Sequence, residues 1–214
     1  MADNMNTKQP LICIGREYGS GGREIAEKLA EKLGIPCYDK LLIHKAAEKS
    51  GYTEHFLTQN EEQPFSIGSL LTGNPFADTV SMAHAFYPES QMAFDAERHA
   101  ILDIAEKGGG VFVGRCASSI LSDRDNMLSV FIYANEDSKI KRVMARNQTD
   151  EITAKKRIQK VDRMRKRYFD FYANTRWGES ESYDMMLSSS LFGIDGCVEL
   201  ILQCLELRNK HAKQ

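Results

Sequence analysis

The sequence predicts an α/β fold, a three-layer α/β/α arrangement with helices on both faces of a parallel five-stranded sheet. Three observations predict it. Short, largely apolar runs recur along the chain (Leu11-Ile12-Cys13-Ile14, Val111-Phe112-Val113 and residues 128–133), as in strands buried on both faces. Segments with helical apolar spacing separate these runs, and that alternation generates parallel sheets. The first run enters a glycine-rich turn, Gly15-Arg16-Glu17-Tyr18-Gly19-Ser20-Gly21-Gly22, which leads straight into a helix.

Each element follows from its residues. The polar residues 1–9 read as a disordered lead, and residues 11–14 as the first strand. Ile25, Ala26, Leu29, Ala30 and Leu33 share one face of a helix over 22–33, which Gly34 closes, with Pro36 beyond it. Residues 36–38 leave room for a very short strand, and Asp39 caps a further helix from about residue 40 to Gly51. Residues 52–88 contain Gly68, Gly73, Asn74, Pro75 and Pro88 and hold no period. They read as loops and short helical pieces forming a mobile flap or subdomain. Met92, Ala96, Ile101, Leu102 and Ala105 predict a helix over 89–107, ended by Gly108-Gly109-Gly110. Strand 111–113 runs into Gly114-Arg115, and a short helix carries Ile120 and Leu121. Strand 128–133, helix 137–146, strand 183–187 and helix 194–207 complete the pattern.

The composition excludes several classes. With 214 residues, 42% hydrophobic and 27% charged, the chain can build a full core. A net charge of −2 gives no global attraction to nucleic acid or membranes. No run is apolar enough to span a bilayer, and the polar start lacks a secretory h-region. The cysteines, Cys13, Cys37, Cys116, Cys197 and Cys204, are odd in number and none are spaced as C-x-x-C. A disulfide framework or zinc site is therefore not expected, and a cytoplasmic location is.

In parallel sheets ligands bind beyond the carboxyl ends of the strands. That rule gathers residues 15–23, 38–39, 114–115, 133–135 and 188–190 on one edge. A strand, glycine-rich loop and helix in that order can cradle phosphate with backbone N–H groups and the helix N-terminus. The usual phosphate loop ends in Lys then Ser or Thr, whereas this one ends Gly21-Gly22-Arg23-Glu24. Two readings stay open at this point: a degenerate phosphate loop, or a turn that binds nothing.

Arginines are the second signal. Residues 155–167 carry eight basic residues against one acid, a local charge of +7 that leaves −9 for the rest of the chain. Such a run reads as a solvated helix face, as a nucleic-acid patch, or as a lid closing over phosphates. The acidic remainder argues against nucleic acid. Arg142 and Arg146 lie four apart on one helix face just before the run, and Arg115 ends a strand. Cations gathered without an anion repel one another, which favours the lid, and a guanidinium fork suits phosphate.

Together the motifs resemble the cytidylate kinase-like family of P-loop nucleoside monophosphate kinases. They are residues 15–26, Tyr38-Asp39-Lys40, Val113-Gly114-Arg115-Cys116-Ala117, residues 162–165 with Tyr168, and Trp177-Gly178 to Tyr183-Asp184. The resemblance spans about 11–207. It implies one P-loop kinase domain, with a core over about 10–50 and 89–207, an acceptor-binding helical insertion over about 51–88, and a lid over about 147–176. It implies transfer of the ATP γ-phosphoryl group, with Mg2+, to CMP, dCMP or a related small acceptor. By position, the loop Gly19, Ser20, Gly21, Gly22, Arg23 and Glu24 wraps the donor phosphates. Arg115 holds the acceptor's phosphate, with Asp39 and Lys45 beside the acceptor nucleotide. Arg142 lies near the adenine and Arg146 near the phosphates. Arg163 and Arg165 are lid arginines, with Arg157 a secondary candidate.

The departures bear on activity. Gly22 stands where the resemblance implies Lys in orthodox cytidylate kinases, and Glu24 where it implies Ser or Thr, while a branch of the family shares this Gly-Ser-Gly-Gly-Arg-Glu loop. Arg16 is a candidate to reach back for the missing charge, and the Glu24 carboxylate is a candidate magnesium ligand. Two functions follow: a phosphotransferase working as a monomer or homodimer, and a nucleotide-binding regulatory or sensor protein that keeps the pocket without turnover. A domain with an empty crevice is the third.

Overall fold

The computed structural model describes residues 9–39, 42, 45, 49–53, 55 and 89–211. The expected lead, most of the helix after Asp39 and nearly all of the 51–88 insertion lie outside the described residues.

The elements run β1 (Leu11–Arg16), α1 (Gly22–Leu33), β2 (Cys37–Tyr38), α2 (Glu89–Lys107), β3 (Gly110–Val113), α3 (Ala117–Ile120), β4 (Met127–Tyr133), α4 (Glu136–Asn147), α5 (Glu151–Tyr172), β5 (Met185–Ser188) and α6 (Ser189–His211). The five strands form one sheet in the order β2-β3-β1-β4-β5, with every pair parallel. β1 is central, between β3 and β4, and every residue from Leu11 to Ile14 is buried.

Alternation along β1 builds both cores. Ile12 and Ile14 join Val111, Leu128 and Val130 beneath α1 and α6, where Ile25, Leu29, Val198 and Ile201 meet them. Leu11 and Cys13 face the opposite side with Phe112, against Ala100, Ile101 and Ile104 of α2 and Leu121 beyond α3. This is the period-two geometry of a strand covered on both sides. A third, aromatic cluster of Phe94, Phe131, Tyr168, Phe169 and Tyr183 seats α5 against the sheet. All five cysteines are free thiols, and burial pushes the Cys13 thiol far up. Among the described residues no helix is long and apolar enough to cross a membrane.

The element boundaries differ from the expected ones for local reasons. β1 continues two residues past Ile14, because Gly15 and Arg16 pair with Phe131 and Ile132. α4 starts at Glu136, since the Asn135 side chain accepts from the Ser138 N–H at 2.9 Å. The basic run is one stretch of the 22-residue helix α5, capped by Asp150, whose carboxylate accepts from the Thr153 N–H at 2.9 Å. β5 starts at Met185, because the Tyr183 ring packs on Phe131 and the Asp184 carboxylate accepts from the Ser129 N–H and hydroxyl at 2.7 and 2.8 Å. α6 begins at Ser189 with a break at Gly193 (φ 69°), where the apolar spacing marks only the portion beyond the break.

Gly15 is fixed by packing. A Cβ there would lie 2.8 Å from both Phe131 Cδ2 and Tyr183 Cε1. Gly15→Ala overpacks this site at about 1–3 kcal/mol, which lowers Tm by roughly 2–12 °C for a chain of this size. Thermal denaturation reads the effect, and an unchanged Tm would show that the rings reseat freely.

Candidate active site

The glycine-rich loop leaves the sheet at Arg16 and re-enters structure at Gly22. Gly19 and Gly21 adopt left-handed backbone conformations (φ 84° and 81°), and a Cβ on Gly21 would meet Ile194 Cδ1 at 2.4 Å. The positive φ is what favours glycine at both positions. Ser20 is fully buried, with its hydroxyl donating to the Glu17 carbonyl at 2.9 Å and accepting from the Gly22 N–H at 3.4 Å. Ser189 donates to the Ser20 carbonyl at 2.5 Å and to the Tyr133 carbonyl at 3.3 Å. The ends of β4 and β5 therefore adjoin the loop, as the strand-edge rule predicts.

Side chains fix the loop from α4 and α5. Glu17 accepts from the Ala134 N–H at 3.1 Å and pairs with Lys139 at 3.0 Å. The Tyr18 N–H donates to the Asp162 carboxylate at 2.6 Å, and Arg165 donates to the Arg16 carbonyl at 3.3 Å.

Above the loop lies a pocket of about 920 Å³ lined by Arg16, Arg23, Arg142, Arg146, Arg157 and Arg165. Five of these charges fall into two groups. Arg23 pairs with Glu27 at 3.0 Å and Asp39 at 3.2 Å, and Arg142 pairs with Glu24 at 2.7 Å. Arg146, Arg165 and Arg157 instead surround the Tyr18 ring, 4.6, 5.8 and 5.9 Å from its centroid. Burial raises the Tyr18 hydroxyl's pKa, but the Asn147 amide and the Arg146 and Arg157 charges outweigh it, and the net shift is downward. Cations converge on a single ring here, in a pocket whose nearest acids are already paired with other cations. That field suits a polyanion.

The expected site residues are thus partly assembled. Gly19, Ser20, Gly21, Gly22, Arg23, Glu24, Arg16, Arg142, Arg146 and Arg165 form the loop and its surround, and Asp39 reaches the pocket beside Arg23. Three placements differ from expectation. Arg115 does not line this pocket but turns into a small cavity that it shares with Arg16 and Arg165: 1% exposed, it is ion-paired with Glu97, itself 2% exposed, and Tyr168 donates to the other Glu97 oxygen at 3.2 Å. Left-handed backbone at Gly114, Arg115 and Cys116 (φ 72°, 57° and 54°) produces that turn at the end of β3. Arg163 is exposed and does not line the pocket, whereas Arg157 does. Two residues apart on a helix means about 200° of rotation, so Arg163 and Arg165 face opposite ways. Lys45 lies over the Tyr38 ring, 5.4 Å from its centroid, in a separate cavity of about 400 Å³ with Lys49 and Lys107. Gln9, Pro36 and Gly109 place that cavity at the amino ends of the strands, opposite the loop.

Sequence reasoning missed Tyr18, Asp162 and Glu97. Tyr18 sits inside the loop motif, and Asp162 lies three residues from Arg165 on one face of α5, so both carried a signal. Glu97 carried a weaker one, an acid on the apolar face that Ala93, Ala100, Ile101 and Ile104 build on α2, with nothing in the sequence to name Arg115 as its partner.

The Glu24 carboxylate, expected as a magnesium ligand, is paired with Arg142 in a partly exposed ion pair, so it reaches a metal only once that pair opens. Among the described residues no group of three or more His, Cys, Asp or Glu side chains is placed together to hold a metal ion.

Burial pushes the Asp162 carboxyl up to about 6, against the opposing pull of the Tyr18 N–H, Arg165 and Lys139 and with Glu17 adding to the rise. Its pKa is higher folded than unfolded, so the folded state holds the extra proton between about pH 4 and pH 6 and loses that stabilisation as pH rises through the window. Asp162→Asn keeps the acceptor for Tyr18 and removes the slope. Its unfolding free energy exceeds that of the unmodified protein at pH 7 by an amount on the order of 1–2 kcal/mol, discounted for partial solvation, and the gap closes towards pH 4. A gap independent of pH would sink this assignment.

Comparison with known proteins places the chain. A family model described as the cytidylate kinase-like family matches residues 11–191. The chain is 26% identical over 202 residues to a cytidylate kinase of Archaeoglobus fulgidus, covering 92% of this chain and 95% of that one. Among solved structures, an uncharacterized protein from Eubacterium ventriosum shares 33% identity with a TM-score of 0.69, over 92% of this chain and 99% of that one. A shikimate kinase from Bacteroides thetaiotaomicron, at 15% identity and TM-score 0.51 over 92% and 98%, shares the fold.

Proposed function

The chain belongs to the cytidylate kinase-like family, and from that premise we propose that it is an ATP-dependent phosphotransferase with CMP or dCMP as the leading acceptor. One observation carries the reading: Arg146, Arg157 and Arg165 converge on Tyr18 directly above the loop. In phosphoryl transfer the protein acts mainly by positioning the phosphates and neutralising their charge. The loop amides and the start of α1 receive the triphosphate, and the three guanidiniums of α4 and α5 meet its oxygens. Arg142 and Arg23 exchange their carboxylate partners for phosphate as the nucleotide enters. The cytidylate kinase relative supports the choice of acceptor. Arg115 serves the acceptor's phosphate in this reading only by leaving Glu97.

A second reading, a nucleotide-binding regulatory or sensor protein, is favoured by Gly22 in place of lysine and by the closed Glu24–Arg142 pair. A coupled ADP-release assay with ATP, magnesium and a panel of nucleoside monophosphates separates the two, with no-acceptor controls. Acceptor-dependent turnover supports the kinase, and CMP or dCMP as best acceptor supports the finer reading. Saturable ATP binding without turnover on any acceptor moves the conclusion to the sensor.

A further inference from the structure

The loop departs from the phosphate-loop pattern at two positions, and those positions touch. The pattern G-x-x-x-x-G-K places its first glycine five residues before the second and its lysine immediately after it. With Gly21 as the second glycine, the first falls at position 16 and the lysine at position 22. This chain has Arg16 and Gly22 there: the glycine and the long cation have changed places. A Cβ on Gly22 would lie 2.6 Å from the Arg16 Cβ and 3.3 Å from its Cγ, with the Ile132 Cβ also at 3.3 Å. Side chains at both positions cannot coexist with this backbone, because real Cβ atoms do not approach so closely. Arg16 occupies the space over the start of α1 that the stem of a lysine at 22 would need.

Arg16 is also held where a loop cation is needed. It is the last residue of β1, paired with Ile132, so its backbone is fixed by the sheet. Its carbonyl accepts from Arg165, which ties it to the arginine-bearing helix α5. The residue is 8% exposed and lines the loop pocket.

We propose that Arg16 and Gly22 form one unit in which the phosphate-directed cation of the loop is carried by the end of β1 instead of the start of α1. The assignment rests on the phosphate-binding reading given above. It explains why Gly22 does not mark decay of the site: the charge has moved from the start of α1 to the end of β1, and glycine at 22 is the condition for arginine at 16. A guanidinium reaching in from the strand end approaches phosphate as a fork, where a lysine acts as a point charge.

The test is a set of loop variants titrated with inorganic tripolyphosphate and with ATP by calorimetry, with thermal melts alongside. Arg16→Gln keeps the stem and removes the charge. It is expected to lose at least about ten-fold in affinity for both ligands with little change in melting temperature. Arg16→Lys retains most of the affinity. Gly22→Lys alone melts lower, because of the clash. The double variant R16G/G22K rebuilds the G-x-x-x-x-G-K spacing, and it recovers both the melting temperature and triphosphate binding relative to Gly22→Lys and Arg16→Gly. Unaltered binding by Arg16→Gln, or a double variant no better than Arg16→Gly, overturns the exchange while leaving the phosphate-binding reading intact. A wild-type protein that binds neither tripolyphosphate nor ATP overturns that reading, and the exchange with it.

Discussion

Arg165→Ala lowers turnover by about 10³-fold or more, the scale on which removal of a transition-state arginine acts in phosphoryl transfer. Arg165 lies 5.8 Å from the Tyr18 ring centroid, lines the loop pocket and donates to the Arg16 carbonyl. It therefore contributes twice, through its own charge and through the placement of the strand end. The two parts separate by comparing Arg165→Lys with Arg165→Ala. Lysine restores a charge without the fork, so a partial recovery of kcat with KM for ATP near the wild-type value points to charge stabilisation developed during transfer. The internal control is Arg163→Ala. Arg163 is two residues away in the same basic run but is exposed outside the pocket, and its loss leaves kcat within about two-fold, as surface substitutions remote from a site do. Equal losses at both positions would mean that α5 acts through its net charge and that the facing of individual arginines is immaterial. Retained turnover in Arg165→Ala would remove the lid assignment.

The contrast between Arg163 and Arg165 shows what the sequence carries and where its reading fails. Both were expected at the phosphates, because motif resemblance assigns residues by position along the chain and not by rotation about a helix. The 3.6-residue period, applied to the same run, places Arg157 and Arg165 on one side and Arg163 on the other. Strands β1, β3 and β4 were legible because Leu11–Ile14, β3 and most of β4 are buried on both faces and so read as apolar runs, interrupted in β4 by Ser129. The end of β1 was not, since Gly15 and Arg16 are held in the strand by pairing with β4 and not by apolarity. The loop's two glycine turns were visible as glycines. Its link to α5 through the Tyr18 N–H and Asp162 spans 144 residues, and no local pattern encodes a contact of that range. Arg115 was legible as a strand-terminal arginine, but its direction depends on three successive left-handed residues, two of them not glycine. Such conformations are rare enough outside glycine that sequence gives no reason to expect them.

That direction makes Glu97 the position where the largest loss of stability is expected. Arg115 and Glu97 are buried together, with side chains 0% and 3% exposed, and Tyr168 donates to the carboxylate at 3.2 Å. Removing one partner of a buried pair strands the other charge, which costs about 3–5 kcal/mol. Glu97→Ala therefore lowers Tm by roughly 6–20 °C in a chain of this size. Glu97→Gln leaves acceptors for Arg115 and Tyr168 but not the charge, and falls between. The double variant E97M/R115M removes both charges and fills the space with apolar atoms, so it melts well above Glu97→Ala; the difference is the coupling between the two groups. Thermal denaturation of the four proteins measures it directly. The same series speaks to function. If Arg115 serves only the fold, E97M/R115M keeps the affinity for CMP found in the wild type. If Arg115 leaves Glu97 to hold the acceptor's phosphate, the double variant is stable and loses that affinity, and Glu97→Gln, with the arginine held less tightly, binds CMP at least as well as the wild type. A Glu97→Ala protein as stable as the wild type would show that water reaches Arg115, and that the pair is not the buried clamp its geometry describes.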